Sequence, residues 1–166
     1  MRFAIYYAPA PGSPLHDLGS RWLGRDAFTG QSLVPPEGAL PGDTTAEPRR
    51  YGFHATLKPP FALAAHASPA QLSAAVLRLA RGLGPVVTGL VLAEIDGFLA
   101  LVPSGEGAAL RAIADACVRD LDGFRLAPSL EELDRRRRAG LTAAQNDYLA
   151  AWGYPYVFDE FRFHMT

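Results

Sequence analysis

The chain of 166 residues is 49% apolar, 20% charged and 10% aromatic, which fits one folded domain over residues 1–166 and excludes a disordered, collagen-like or wholly coiled-coil chain. Sixteen basic residues against seventeen acidic leave a formal charge of -1, so no global field exists to hold a long nucleic acid and any anion site must be local. The single cysteine, Cys117, excludes an internal disulfide and a thiolate zinc cluster, and no run approaches the roughly 18 apolar residues of a membrane span, so a soluble, cytoplasmic protein with no membrane partner is expected.

Residues 2–8, rich in aromatic and β-branched types, predict a strand stopped by Pro9 and Pro11, and are apolar too briefly for a secretion signal. Ser13 followed by Pro14 marks a helix start, with Leu15, Leu18 and Trp22 running toward Gly24. Between 25 and 48, Gly30, Pro35, Pro36, Gly38, Pro41 and Gly42 predict a long irregular loop of the kind that serves as a lid or binding loop. Residues 50–58 alternate, with Tyr51, Phe53, Ala55 and Leu57 on one face and Arg50, Gly52, His54, Thr56 and Lys58 on the other; Pro59 and Pro60 are expected to end this strand. Ser68-Pro69 opens a helix with an apolar stripe at Leu72, Val76, Leu79 and Leu83. Residues 86–93 and 97–102 read as two strands joined at a tight turn, Ile95-Asp96. Leu110, Ile113, Cys117 and Leu121 predict a further helix broken by Gly123, and capping patterns at Ser129 and Thr142 start two more, the last ending at Gly153. Residues 161–166 alternate again, with Phe161, Phe163 and Met165 opposite Arg162, His164 and Thr166.

Two of these segments repeat one another. Tyr51-Gly52-Phe53-His54-Ala55-Thr56 and Phe161-Arg162-Phe163-His164-Met165-Thr166 both read aromatic, any, Phe, His, any, Thr. Residues two apart on a strand share a face, so each motif presents an imidazole and a hydroxyl to one space. If the strands lie together, two imidazoles and two hydroxyls converge. Imidazole titrates near neutral pH, so one ring can accept a proton while the other donates one, as displacement at a phosphodiester requires. Threonine hydroxyls can donate hydrogen bonds to the non-bridging phosphate oxygens.

At these residues the sequence resembles the 2H phosphoesterase superfamily, whose signature is a pair of His-x-Thr/Ser motifs. The words from Arg49 through His54-Ala55-Thr56-Leu57-Lys58 to Phe61, and from Trp152-Gly153-Tyr154-Pro155 to His164-Met165-Thr166, are similar to the branch encoded beside bacterial phosphonate-utilisation genes. Segments 19–24 and 97–103 extend the likeness over essentially the whole chain. The resemblance implies an α+β, bilobal fold of two pseudo-symmetric halves, with antiparallel sheets forming a central cleft and helices outside. It also implies catalysis with no metal and no cofactor. The second motif lacks its fourth, normally apolar position after Thr166, and the pseudo-symmetry implies strands beyond it, so a truncated second lobe is expected.

The expectation is therefore a metal-independent phosphoesterase, a hydrolase, acting on a small ribose-containing or nucleotide phosphate such as a cyclic phosphodiester. His54 and His164 would be its catalytic acid and base, and Thr56 and Thr166 its phosphate-binding residues. The rival is a module that captures a nucleotide or RNA end in the same cleft without turnover. Lys58 and Arg162 share the motif faces and are candidate auxiliary contacts to the anion. Tyr6 shares a strand face with Arg2 and Ala4 and is a candidate for the cleft lining. His16 and His66 have no partner at ligand spacing, which argues against a metal site. Cys117 reads as core filler. The run Arg135 to Arg138 turns through about 300° and cannot all face one ligand, so it reads as a solvated helix face. Trp152, Tyr154 and Tyr156 read as packing beside the second motif.

Overall fold

A computed structural model describes residues 1–39 and 44–166 as an α+β protein. In chain order the elements are β1 (Arg2–Tyr7), α1 (Pro14–Leu23), α2 (Ala46–Arg49), β2 (Ala55–Ala62), α3 (Pro69–Gly82), β3 (Leu90–Ile95), β4 (Phe98–Pro103), α4 (Ala108–Asp120), α5 (Leu130–Arg137) and α6 (Ala143–Trp152). The strands form two-stranded sheets, β1 with β2 and β3 with β4. Among the described residues no helix is long and apolar enough to cross a membrane.

The helix starts follow their caps. The side chain of Ser13 accepts from the backbone of His16 at the head of α1, and reciprocal capping boxes, Ser68 with Gln71 and Thr142 with Gln145, open α3 and α6. The strand ends depart from expectation. Of the strand expected over 50–58 only the part from Ala55 lies in β2, the residues before it forming turn and bend, and residues 161–166 carry a single bridge at Met165 in place of a strand. β2 runs through Pro59 and Pro60, because it lies in a two-stranded sheet with an unpaired side, where a missing N–H leaves no ladder bond unmade. The β3–β4 turn is Asp96-Gly97, with φ of 47° and 90°, and Ile95 pairs with Phe98 across it. Positive φ at both central residues matches the strand twist, which is why Asp-Gly and not Ile-Asp makes the turn. Residues 86–89 lie outside β3. The irregular stretch after α1 contains α2 and a bridge between Arg25 and Ser32; Pro41 and Gly42 lie outside the described residues.

The chain divides into two compact units. The first comprises Met1–Ile5, Leu57–Gly89 and Ser104–Phe163, and the second Tyr6–Thr56, Leu90–Pro103 and His164–Thr166. In the first unit the core joins Ile5 and Phe61 to Leu72 and Ala75 of α3 and Cys117 of α4, with Leu121 beyond it. Burial raises the Cys117 thiol to about 11, as suits a core residue and not a nucleophile. In the second unit Leu23, Phe53, Ala55, Ala100 and Met165 are buried. Here α1 lies against Phe53 at Gly19, where a Cβ would fall 2.2 Å from the Phe53 ring.

Candidate functional site

Around both motifs burial alternates. Phe53 and Ala55 are buried while His54 and Thr56 are half-buried, and Phe163 and Met165 are buried while His164 and Thr166 are half-buried. Backbone pairing joins the motifs within the second unit. The His54 N–H donates to the Thr166 carbonyl at 3.2 Å, and the Thr166 N–H donates to the His54 carbonyl at 3.3 Å. A reciprocal pair of this kind sets the two residues opposite one another in antiparallel register, with their side chains on one face. Alternation by two then adds Thr56 and His164 to that face. On its other side the final segment is held by the same reciprocal bonding between Met165 and Leu101 of β4, at 2.9 and 3.0 Å.

The His54 ring is oriented by its neighbours. Its Nδ1 lies 2.7 Å from the Gly52 carbonyl, which can only accept, so Nδ1 carries the proton and donates. Nε2 is then the acceptor, 3.3 Å from the Thr56 hydroxyl, which donates to it. Tyr6 lies over the imidazole with ring centroids 3.9 Å apart, and Tyr51 stands 6.3 Å away. His54 is held below the ordinary imidazole value, chiefly by burial; the Gly52 carbonyl opposes that shift and charge on His164 adds to it. His164 packs against Phe98 with centroids 5.6 Å apart.

Gly52, whose carbonyl accepts the hydrogen bond from His54 Nδ1, has φ +77°, and a Cβ there would stand 2.2 Å from the Ala27 Cβ. A glycine is what the backbone conformation and the close approach both require. Nearby, Arg49 donates from Nε to the Leu23 carbonyl at 2.7 Å and from Nη2 to the Thr45 hydroxyl at 2.7 Å, tying α2 to the end of α1. Beside the two imidazoles opens a cavity of about 810 Å³, within the range of small-molecule sites. His54, His164 and Thr166 line it together with Thr45, Glu47 and Tyr51, and Leu15, Trp22, Phe53 and Phe98 are among its apolar walls.

The structure thus brings His54, Thr56, His164 and Thr166 to one face and sets Tyr6 against His54. It does not bring Lys58 there. Lys58 belongs to the first unit, is 2% exposed, and donates to the Val118 carbonyl at 3.0 Å and to Asp122 at 3.2 Å. The shared strand face misled because α4 and the turn after it cover β2 beyond Leu57. Arg162, exposed, also belongs to the first unit. His16 is buried beside Asp17 and Asp26, at 3.2 and 3.7 Å, and His66 donates to the Gly123 carbonyl. In the arginine run, Arg136 pairs with Glu132 and Arg137 with Asp134. Sequence reasoning missed Gly52 as the acceptor of His54, and Tyr51 beside His54 and Phe98 beside His164 as aromatic surroundings. The glycine two residues before His54 was the available signal; Phe98, on β4, carried none.

Comparison with known proteins adds a family and two relatives. The family described as "Protein of unknown function (DUF1045)" matches residues 56–166. A ribose 1,5-bisphosphate phosphokinase PhnN of Laribacter hongkongensis (strain HLHK9) is 40% identical over 168 residues, covering 100% of this chain and 39% of that protein. A ribose 1,5-bisphosphate phosphokinase PhnN of Janthinobacterium sp. (strain Marseille) is 38% identical over 177 residues, covering 99% of this chain and 38% of that protein. The chain therefore spans about two fifths of the curated relatives it matches. No solved structure matches. The phosphoesterase expectation is corrected by these relatives: both carry the name of a phosphokinase, a phosphoryl transferase, and neither that of a hydrolase.

Proposed function

The chain belongs to the DUF1045 family, and from its paired imidazoles we propose that it is the sugar-phosphate-holding part of an enzyme that transfers phosphoryl groups to a ribose bisphosphate. The reading is supported above all by the reciprocal bonding of His54 with Thr166, which puts two imidazoles and two hydroxyls on one face. Such a face suits a phosphate monoester. Once protonated, the His54 imidazole supplies a charge-assisted donor, hydroxyls supply neutral ones, and Tyr6 restricts the motion of the His54 ring. The apolar walls leave the bound anion little competing water, which strengthens each of these bonds.

The two-motif arrangement is shared with the 2H superfamily, and here its role is to bind. The name PhnN agrees with the phosphonate-associated branch that the sequence resembles. No Gly-x-x-x-x-Gly-Lys-Ser/Thr run occurs in the sequence, and its one lysine is committed to Asp122. Nucleotide binding and transfer are accordingly assigned to portions of the relatives that this chain does not span.

Calorimetric titration of the full chain with ribose 1,5-bisphosphate, and with unphosphorylated ribose as the control, tests the reading. Saturable binding of the bisphosphate alone is expected, weakened about tenfold or more in His54→Ala and in Thr166→Ala, since one hydrogen bond to a charged group contributes about 1.5–3 kcal/mol. Absence of binding, or equal affinity in both variants, would exclude this site.

A further inference from the structure

The first unit contains a cavity of its own, about 420 Å³, that the reading above does not use. Arg2, Lys58, Arg125 and Glu132 bring charge to its lining; Phe61, Val118, Trp152 and Val157 are among its apolar walls. The charges around it do not balance. Asp122 is shared between two cations: Lys58 donates to Oδ1 at 3.2 Å, and Arg125 grips both oxygens, from Nε at 2.8 Å and from Nη2 at 2.9 Å. Glu132 is shared in the same way, its Oε1 accepting from Arg2 and from Arg136, the latter at 3.1 Å. Four cations thus meet two carboxylates, an excess of two positive charges beside a half-enclosed space.

Donor capacity is also left over. Nη2 of Arg125 further donates to the Ala151 carbonyl at 3.1 Å, but Nη1 makes no hydrogen bond to any described residue. It lies over Gly153, where a Cβ would come within 3.1 Å of it, and Gly153 lines the cavity. Lys58 spends two of its three N–H groups on Val118 and Asp122. Arg136 is occupied against the Tyr154 ring, 5.1 Å from its centroid, and Lys58 likewise lies over the Phe61 ring, 5.4 Å from its centroid, so the unspent donor is Nη1 of Arg125.

We propose that this cavity binds a small organic anion, its phosphate or carboxylate head on Arg125 and an apolar body against Trp152. An anion there would offset the surplus charge and accept the N–H groups that the carboxylates leave unused. The site is separate from the imidazole pair and stands whether or not that pair binds a ribose bisphosphate.

Amide and indole NMR of the full chain, titrated with phenyl phosphate and in parallel with benzoate, reads the site directly and separates the two head groups. Saturable shifts at Arg125, Ser129, Gly153 and the Trp152 indole are expected with at least one probe. Arg125→Gln should weaken that binding about tenfold or more, tenfold being 1.4 kcal/mol. Because Arg125 also supports Asp122, a second variant, Ala127→Trp, narrows the cavity from an exposed lining position that makes none of these pairs; it should weaken binding in a chain whose spectrum stays dispersed. No saturable shift at millimolar probe, shifts confined to His54 and His164, or unchanged affinity in both variants would overturn the proposal.

Discussion

At the scale of the residue, His54 couples acidity to stability. Its folded-state pKa lies below the unfolded one, chiefly through burial. In the window below about pH 6.5 the unfolded chain therefore binds more protons at this residue, and the fold loses stability as pH falls from there through the folded-state value. Urea midpoints measured from pH 7.5 to 5 should fall more steeply for the native chain than for His54→Gln; equal slopes would show that the imidazole carries none of the acid sensitivity. A bound phosphate dianion acts in the opposite sense, since it favours the charged ring, so anion affinity should rise as pH falls toward that window. Alternation in the sequence was enough to put His54 and Thr56 on one face, because period two is a property of local backbone. The same alternation misplaced Lys58, whose burial depends on Val118 and Asp122, more than fifty residues away, and no local spacing carries that information.

At the scale of the element, the segment that leads through His54 into β2 owes its geometry to the turn before it. Gly52 occupies a left-handed conformation at φ +77° against Ala27, and its carbonyl fixes the imidazole tautomer. Gly52→Ala should cost at least about 1–2 kcal/mol for the conformation alone, with the contact to Ala27 adding to it, and should weaken ribose 1,5-bisphosphate binding by moving the acceptor of Nδ1. A denaturation midpoint and an affinity both unchanged would mean that the turn relaxes without disturbing His54. Helix starts were legible because a cap is a local device: a hydroxyl, a first-turn proline or a glutamine three residues on states its own geometry. Strand limits were less so. Pro59 and Pro60 read as a stop, yet a proline ends a strand only where its N–H would be bonded, and that depends on whether a neighbouring strand lies on that side. The final segment shows the same dependence. Its alternation was visible, but its place between Leu101 and His54 rests on hydrogen bonds that no pattern within residues 161–166 specifies.

For the whole molecule, charge decides what kind of anion it can hold. A formal charge of -1 leaves no long-range attraction for a polyanion, and the one arginine run is partly neutralised along its own helix, Arg136 by Glu132 and Arg137 by Asp134. What remains positive is local: the His54 imidazole, which becomes cationic as pH falls, and the surplus around Asp122 and Glu132. A compact anion can satisfy either place, whereas a strand of RNA needs a continuous row of cations. Affinity for single-stranded nucleic acid falls with salt at a logarithmic slope of about -0.7 for each phosphate neutralised. Fluorescence anisotropy of a labelled RNA oligonucleotide against this chain should therefore show no saturable binding at physiological salt, and a slope of about -1 or shallower where low salt forces an association. A slope of several units would require a continuous basic track, for which Arg136 and Arg137 would have to leave Glu132 and Asp134, and would move the site of recognition away from His54 and His164 altogether.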